Sequence, residues 1–143
     1  MPSDLVLKAL NAVHRTLLRV SGGRAGGEAA GMPVLELVTT GRRSGVPRSV
    51  LLTSPMRDGE AYVVVASRGG DDRHPAWFLN LRDEPQVQVA VQGGPRRPML
   101  AHIATPEERA RIWPGIAARH RNYAGYQQRT EREIPLVFLR PPA

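Results

Sequence analysis

The sequence predicts an α+β fold in which a small, mostly antiparallel β-barrel carries helices between its strands. Three observations predict it. Between Pro33 and Ile103 lie five strand-like runs bounded by turn residues. Turn pairs at Asp58-Gly59 and Gly93-Gly94 join neighbouring runs as hairpins. A capped helical stretch then follows before the chain returns to one apolar run, Ile134 to Leu139.

Each element has a local reason. Residues 3 to 20 place Leu7, Leu10, Val13 or His14, Leu17 and Leu18 at helical spacing after a Ser3 N-cap, with Lys8, Arg15 and Arg19 at polar positions, which predicts a basic amphipathic helix. Ser21 to Gly31 holds five glycines and no pattern and reads as a linker. The domain plan is therefore helix and linker over 1–31 and a barrel over 32–143. Its strands are Val34 to Thr39, Ser49 to Thr53, Ala61 to Ser67, Gln86 to Gln92 and Pro98 to Ile103. Val87 to Val91 alternates with period two, as a sheet with one wet face requires, whereas Tyr62 to Ala66 is continuously apolar and belongs at the centre. Pro75 to Leu81 reads as a short helix with proline in its first turn. Thr105-Pro106-Glu107-Glu108 is a capping box opening a helix that Pro114 kinks or ends, and a further helical stretch covers Tyr123 to Arg132. Pro135 confines the last strand's proline to an edge or a strand start.

Composition narrows the function. A chain of 143 residues without cysteine has no disulfide, thiolate zinc site or thiol nucleophile, and fits a reducing, cytoplasmic setting. No run approaches the roughly 20 apolar residues of a membrane span. The net charge of +7 and pI near 11.1 point to an acidic partner. Nucleic acid is not the reading we adopt. Lys8 is the only lysine, so the excess is arginine, and helix-turn-helix, zinc-finger and aromatic RNP patterns are all absent.

The chemistry concentrates in two places. Thr39 to Arg48 packs Arg42, Arg43 and Arg48 around Gly41 and Gly45, a pattern in which converging amides and guanidinium groups grip an anion; the alternative is a solvated basic turn. Ser67-Arg68-Gly69-Gly70 ends a strand, and His74-Pro75-Ala76-Trp77-Phe78-Leu79-Asn80-Leu81 follows, where amides after Ser67 and at the helix start can meet a second phosphate or an acidic ring edge. Trp77 and Asn80 either position a flat ligand or, for Trp77, fill the core.

Read in order, T-T-G-R-R-S-G-V-P-R, V-V-V-A-S-R-G-G, H-P-A-W-F-L-N-L and Y-A-G-Y-Q-Q-R-T-E-R-E-I-P resemble the deazaflavin-dependent nitroreductase family of F-420-dependent oxidoreductases, over Val34 to Leu139. The resemblance implies a split β-barrel of the FMN-binding, PNPOx-like type holding coenzyme F-420, an 8-hydroxy-5-deazaflavin with an oligoglutamate tail. By position, Arg42, Arg43, Ser44, Gly45, Pro47 and Arg48 match the segment that holds the acidic tail. Ser67, Arg68 and Gly69 match the segment beside ring and phosphate, and Pro75, Ala76, Trp77 and Asn80 match the short helix lining the groove. Where Arg43 stands, relatives commonly carry lysine, which keeps the charge.

The implied reaction is hydride transfer from reduced F-420 to an electron-poor acceptor, a quinone or a nitro-aromatic, with Tyr123, Tyr126 and Ser67 as the hydroxyls that answer charge on the acceptor oxygen. Some nitroreductases of the family have a third tyrosine where this chain has His120. The alternative is a non-catalytic split barrel that binds F-420 or a lipid-like ligand. For the N-terminal helix, the expectation is either packing on the barrel or a weak contact with the inner membrane surface. Monomer and dimer both remain open.

Overall fold

The structure, a computed structural model, describes residues 28–29 and 31–142. The expected helix over 3 to 20 and most of the linker lie outside the described residues. The strands are β1 (Glu28–Ala29), β2 (Met32–Thr40), β3 (Pro47–Thr53), β4 (Met56–Asp58), β5 (Ala61–Val65), β6 (Gln86–Val91), β7 (Arg97–Ile103) and β8 (Leu136–Arg140). The helices are α1 (Ala76–Asp83), α2 (Pro106–Arg119) and α3 (Arg121–Gln128), and a single 3-10 turn spans Arg68–Gly70. Glu28 and Ala29, within the glycine-rich stretch, pair with Pro33 and Met32 and so join the sheet.

Every pairing is antiparallel, in the order β3-β2-β6-β7-β8-β5-β4, with β1 beside the start of β2. No pairing among the described strands joins β3 to β4, so the barrel is split there. The alternation of β5 and β8 explains their unbroken apolar runs. Val64, Ala66, Val137 and Leu139 point into a core with Leu35, Leu37, Val87, Val89 and the α1 residues Trp77, Phe78 and Leu81. Val63, Val65, Leu136 and Phe138 face a second core closed by Ile112, Ile116 and Tyr123 of α2 and α3. Both faces are buried, and a strand so placed needs no polar residue.

The Gly93-Gly94 hairpin and the capping box form as expected, whereas the Asp58-Gly59 turn joins β5 to β4, a strand the sequence reading missed, and the Ser49–Thr53 run pairs with β2 instead. Gly59 and Gly93 take positive φ in the β4-β5 and β6-β7 turns. Thr105 accepts from the Glu108 N–H at 3.2 Å while the Glu108 carboxylate accepts from the Thr105 N–H at 2.8 Å. Other boundaries differ. β4 has three residues, too few to show a period. α2 runs through Pro114, because Ile112 and Ile116 on either side of it are buried and hold both halves against the sheet. α3 starts two residues before Tyr123 and stops at Gln128, leaving 129–135 as a loop. Pro135 sits just before β8, where no ladder bond is lost.

Candidate functional site

The arginine turn is built by its two glycines. The Gly41 N–H donates to the Val46 carbonyl at 2.9 Å and the Gly45 N–H to the Gly41 carbonyl at 2.8 Å, closing a tight loop. A Cβ on Gly41 would stand 2.8 Å from Ser44 Oγ and 3.0 Å from the Val46 carbonyl, and Gly45 has φ +71°. Only glycine meets both demands. Ser44 Oγ accepts from the Val46 N–H at 3.1 Å, and Pro47 starts β3 with Arg48 opposite Thr39. Arg42, Arg43 and Arg48 are all exposed, and no carboxylate pairs with them among the described residues.

Asn80 of α1 anchors this turn. Its Oδ1 accepts from the Arg42 N–H at 3.2 Å and from Arg42 Nη1 at 3.3 Å, while its Nδ2 donates to Thr39 Oγ1 at 3.1 Å. Asn80 is 4% exposed and Thr39 1%. A satisfied buried amide thus fixes the loop to the helix, and the Asn80 head group is spent on protein partners. Trp77 is 8% exposed and packs in the barrel core with its ring edge-on to Phe78 at 6.5 Å. Pro75 is buried at the start of α1, and Ala76 beside it is exposed.

At the end of β5 the backbone turns through three left-handed residues in succession, Arg68 (φ +48°), Gly69 (φ +65°) and Gly70 (φ +84°), after a right-handed Ser67. Such handedness changes turn amides toward one side and make a concavity suited to an anion. Ser67 is 8% exposed as a residue and its hydroxyl bonds to no other described residue, and Arg68 pairs with Asp71 at 3.5 Å. A Cβ on Gly70 would stand 2.8 Å from the Tyr126 carbonyl, so this glycine lets α3 close onto the turn.

On α3, Tyr123 is 6% exposed and its hydroxyl lies 2.8 Å from Thr53 Oγ1 and 3.8 Å from Met32 Sδ. Either hydroxyl can donate in the Thr53–Tyr123 pair, and the Met32 sulfur only accepts. Burial first pushes its phenol above the ordinary value, against the Thr53 bond. Tyr126 is half-buried, its ring edge-on to Tyr123 at 6.0 Å and Arg129 5.7 Å from its centre. His120, between α2 and α3, meets the Tyr123 ring edge-on at 6.2 Å.

These contacts form a circuit. Asn80 ties α1 to the arginine turn, β3 carries Arg48 at one end and Thr53 near the other, Thr53 meets Tyr123, and Gly70 lies against Tyr126. Sequence patterns singled out every one of these segments, Thr53 only as the end of a strand. A residue they missed is Arg132. Its Nε donates to the Asp71 carbonyl at 2.8 Å, Nη2 to the Ser67 carbonyl at 2.8 Å, both Nη groups to the Ala66 carbonyl at 3.2 Å, and Nη1 to His74 Nδ1 at 3.2 Å. A guanidinium only donates, so His74 Nδ1 is bare and its ring proton is on Nε2. Burial, then the charges of Arg132 and Arg82, lowers the His74 proton affinity. Among the described residues no helix is long and apolar enough to cross a membrane, and no His/Asp/Glu group is arranged to hold a metal.

The family model described as F420H(2)-dependent quinone reductase matches residues 11–141. The F420H(2)-dependent quinone reductase of Mycobacterium tuberculosis (strain H37Rv) is 41% identical over 132 residues, 89% of this chain and 87% of that protein. A solved F420-H2-dependent reductase, FDR-A, superposes with TM-score 0.64 at 36% identity, covering 75% of this chain and 93% of its own. Another solved chain, described as a domain-swapped dimer, gives TM-score 0.66 at 32% identity over 92% of this chain and 98% of its own. The split barrel, its arginine turn and this likeness agree: the chain belongs to the F420H(2)-dependent quinone reductase family.

Proposed function

We propose that Arg42, Arg43 and Arg48, with the amide of Ser44, hold the acidic tail of F-420, while Gly45 shapes the loop that presents them. Ser67, Arg68 and Gly69 and the start of α1 at Pro75 and Ala76 meet its ring and phosphate end, and Asn80 and Trp77 support that wall from behind. The observation that carries this reading is the arginine turn itself: three exposed guanidinium groups in a glycine-shaped loop with no carboxylate partner among the described residues. Uncompensated charge on an anchored loop fits a polyanionic tail.

Bound reduced F-420 supplies a hydride at low potential. The chain's residues supply orientation and a proton. A quinone that takes up a hydride gains negative charge on oxygen, and a phenol or hydroxyl aimed there stabilises the charge and completes the hydroquinone. Tyr126 and Ser67 carry hydroxyls with no protein partner among the described residues; Tyr123 is held by Thr53 and Met32 and, with its raised proton affinity, stays protonated at neutral pH. It is a donor and not a base. Family membership favours turnover over storage, and quinone is the acceptor we assign. A nitro-aromatic is the lesser acceptor, since His120 replaces a tyrosine of some nitroreductases.

A fluorescence titration with F-420 beside FMN tests the cofactor site. F-420 binds more tightly, and Arg43→Ala or Arg48→Ala weakens it by about tenfold or more, the worth of one charge-assisted contact. Tighter FMN binding overturns the assignment. The basic helix expected over 3 to 20 further supports a weak contact with an anionic bilayer, where a quinone resides. Co-sedimentation with anionic vesicles checks this, and equal binding after charge reversal at Lys8, Arg15 and Arg19 removes it.

A further inference from the structure

We propose that Arg132 is a positioning residue for the reaction, clamping the Ser67–Gly70 turn in the geometry that hydride transfer requires. The inference rests on the reading that this turn meets the cofactor. A strand end passing through three left-handed residues, one of them the non-glycine Arg68, is not the conformation this backbone adopts unaided. Something must over-determine it. The guanidinium of Arg132 does so by reaching four acceptors that bracket the turn: the Ala66 and Ser67 carbonyls at its start, the Asp71 carbonyl after it, and His74 Nδ1 at the approach to α1.

The clamp also joins the two halves of the site. Arg132 follows α3, which carries Tyr123 and Tyr126, and its own carbonyl accepts from Gln127 Nε2 at 2.7 Å. Thr130 Oγ1 donates to Asp72 Oδ1 at 2.8 Å across the same seam. With Gly70 against the Tyr126 backbone, the cofactor turn and the tyrosine helix are packed directly together. A planar five-donor group suits four spread acceptors; an ammonium offers three donors from one point.

Arg109 provides the control. It holds the same 127–134 loop from α2, donating to the Ile134 carbonyl and Gln127 Oε1 at 3.1 Å each, and touches nothing in the turn. The test measures F-420 affinity, kcat and quinone KM for Arg132→Lys, Arg132→Gln, Arg109→Gln and Gly69→Ala. We expect Arg132→Lys to weaken F-420 at least fivefold and lower kcat at least tenfold with quinone KM within twofold, and Arg132→Gln to lose more. Arg109→Gln should lower Tm while affinity and kcat stay within twofold. If Arg132→Gln does not fold, the lysine variant decides. Wild-type affinity and kcat in Arg132→Lys beside a loss in Gly69→Ala overturns the positioning role, as does an equal loss in Arg109→Gln. Wild-type behaviour in both Gly69→Ala and Arg132→Lys overturns instead the placement of cofactor at this turn.

Discussion

Asn80 Oδ1 accepts from both the backbone and the guanidinium of Arg42, at 3.2 and 3.3 Å, so a residue on α1 sets where the arginine turn stands. The two segments are 38 residues apart in the chain. The same amide satisfies the buried Thr39 hydroxyl on β2, and a helix, a strand and a loop therefore meet on one side chain. Binding charge on a loop is useful only when the loop is held, and here the holding group is neutral and buried.

Asn80→Ala therefore costs stability and affinity together. It strips partners from Thr39 and Arg42, and leaving the buried Thr39 hydroxyl unpaired costs about 1–3 kcal/mol. F-420 affinity falls with it as Arg42 loses its anchor. Asn80→Asp separates the effects: acceptor oxygens remain for Arg42, and the Thr39 hydroxyl can donate, but the new carboxylate cancels the charge that the tail needs. Denaturant melts beside F-420 titrations check this, with Asp nearer wild type in stability and not in affinity.

What was legible in the sequence follows from locality. The Thr105 capping box, the Asp58-Gly59 and Gly93-Gly94 turns and the two-sided burial of Tyr62 to Ala66 are written in a few adjacent residues, and all formed. Residues whose meaning is a distant partner were not readable that way. Arg132 resembles any loop arginine until the fold brings Ala66 and Ser67, 66 and 65 residues away, to its guanidinium. Thr53 ends an ordinary strand until Tyr123 meets it. Pro114 marks a local break that burial of Ile112 and Ile116 overrides. The resemblance located the site segments, while the links between them required the fold.

Salt acts on the tail site more than on the fold. Arg42, Arg43 and Arg48 are exposed, so their attraction to a polyanion is screened over a Debye length of about 8 Å at physiological ionic strength. Raising salt weakens F-420 in the wild type, and the dependence becomes shallower with each arginine removed. Isothermal titration at three salt concentrations measures the slope; identical slopes in wild type and Arg43→Ala place the tail elsewhere.

Acid unfolding has a named contributor. The Glu108 carboxyl is held down to about 2, first by the Thr105 backbone bond and then by His102. A carboxyl depressed on folding stabilises the native state above its ordinary value near 4.5, and that stability disappears as pH falls toward 2. Glu108→Gln flattens stability against pH across this window. Thr105→Ala, which removes the reciprocal bond, costs about 0.5–2 kcal/mol near neutrality. Thermal melts from pH 2 to 7 read both, and an unchanged acid limb in Glu108→Gln assigns the loss to other carboxylates.

Tyr126 and Tyr123 differ in what their hydroxyls already do. The Tyr126 hydroxyl has no partner among the described residues, whereas Tyr123 is shared by Thr53 and Met32. A donor aimed at charge that appears only in the transition state lowers the barrier more than it tightens binding, and losing one costs about 10²–10³ in kcat. Tyr126→Phe therefore lowers kcat by about tenfold to a thousandfold while F-420 affinity stays within about threefold. Tyr123→Phe leaves Thr53 without its partner, costing about 1 kcal/mol of stability, and lowers kcat less, through the packing of Tyr126 against its ring. Stopped-flow oxidation of reduced F-420 by menadione, read beside denaturant melts, separates the two. Wild-type rates in the double variant would show that both rings only pack, and the proton that completes the hydroquinone would then have to come from Ser67 or from water.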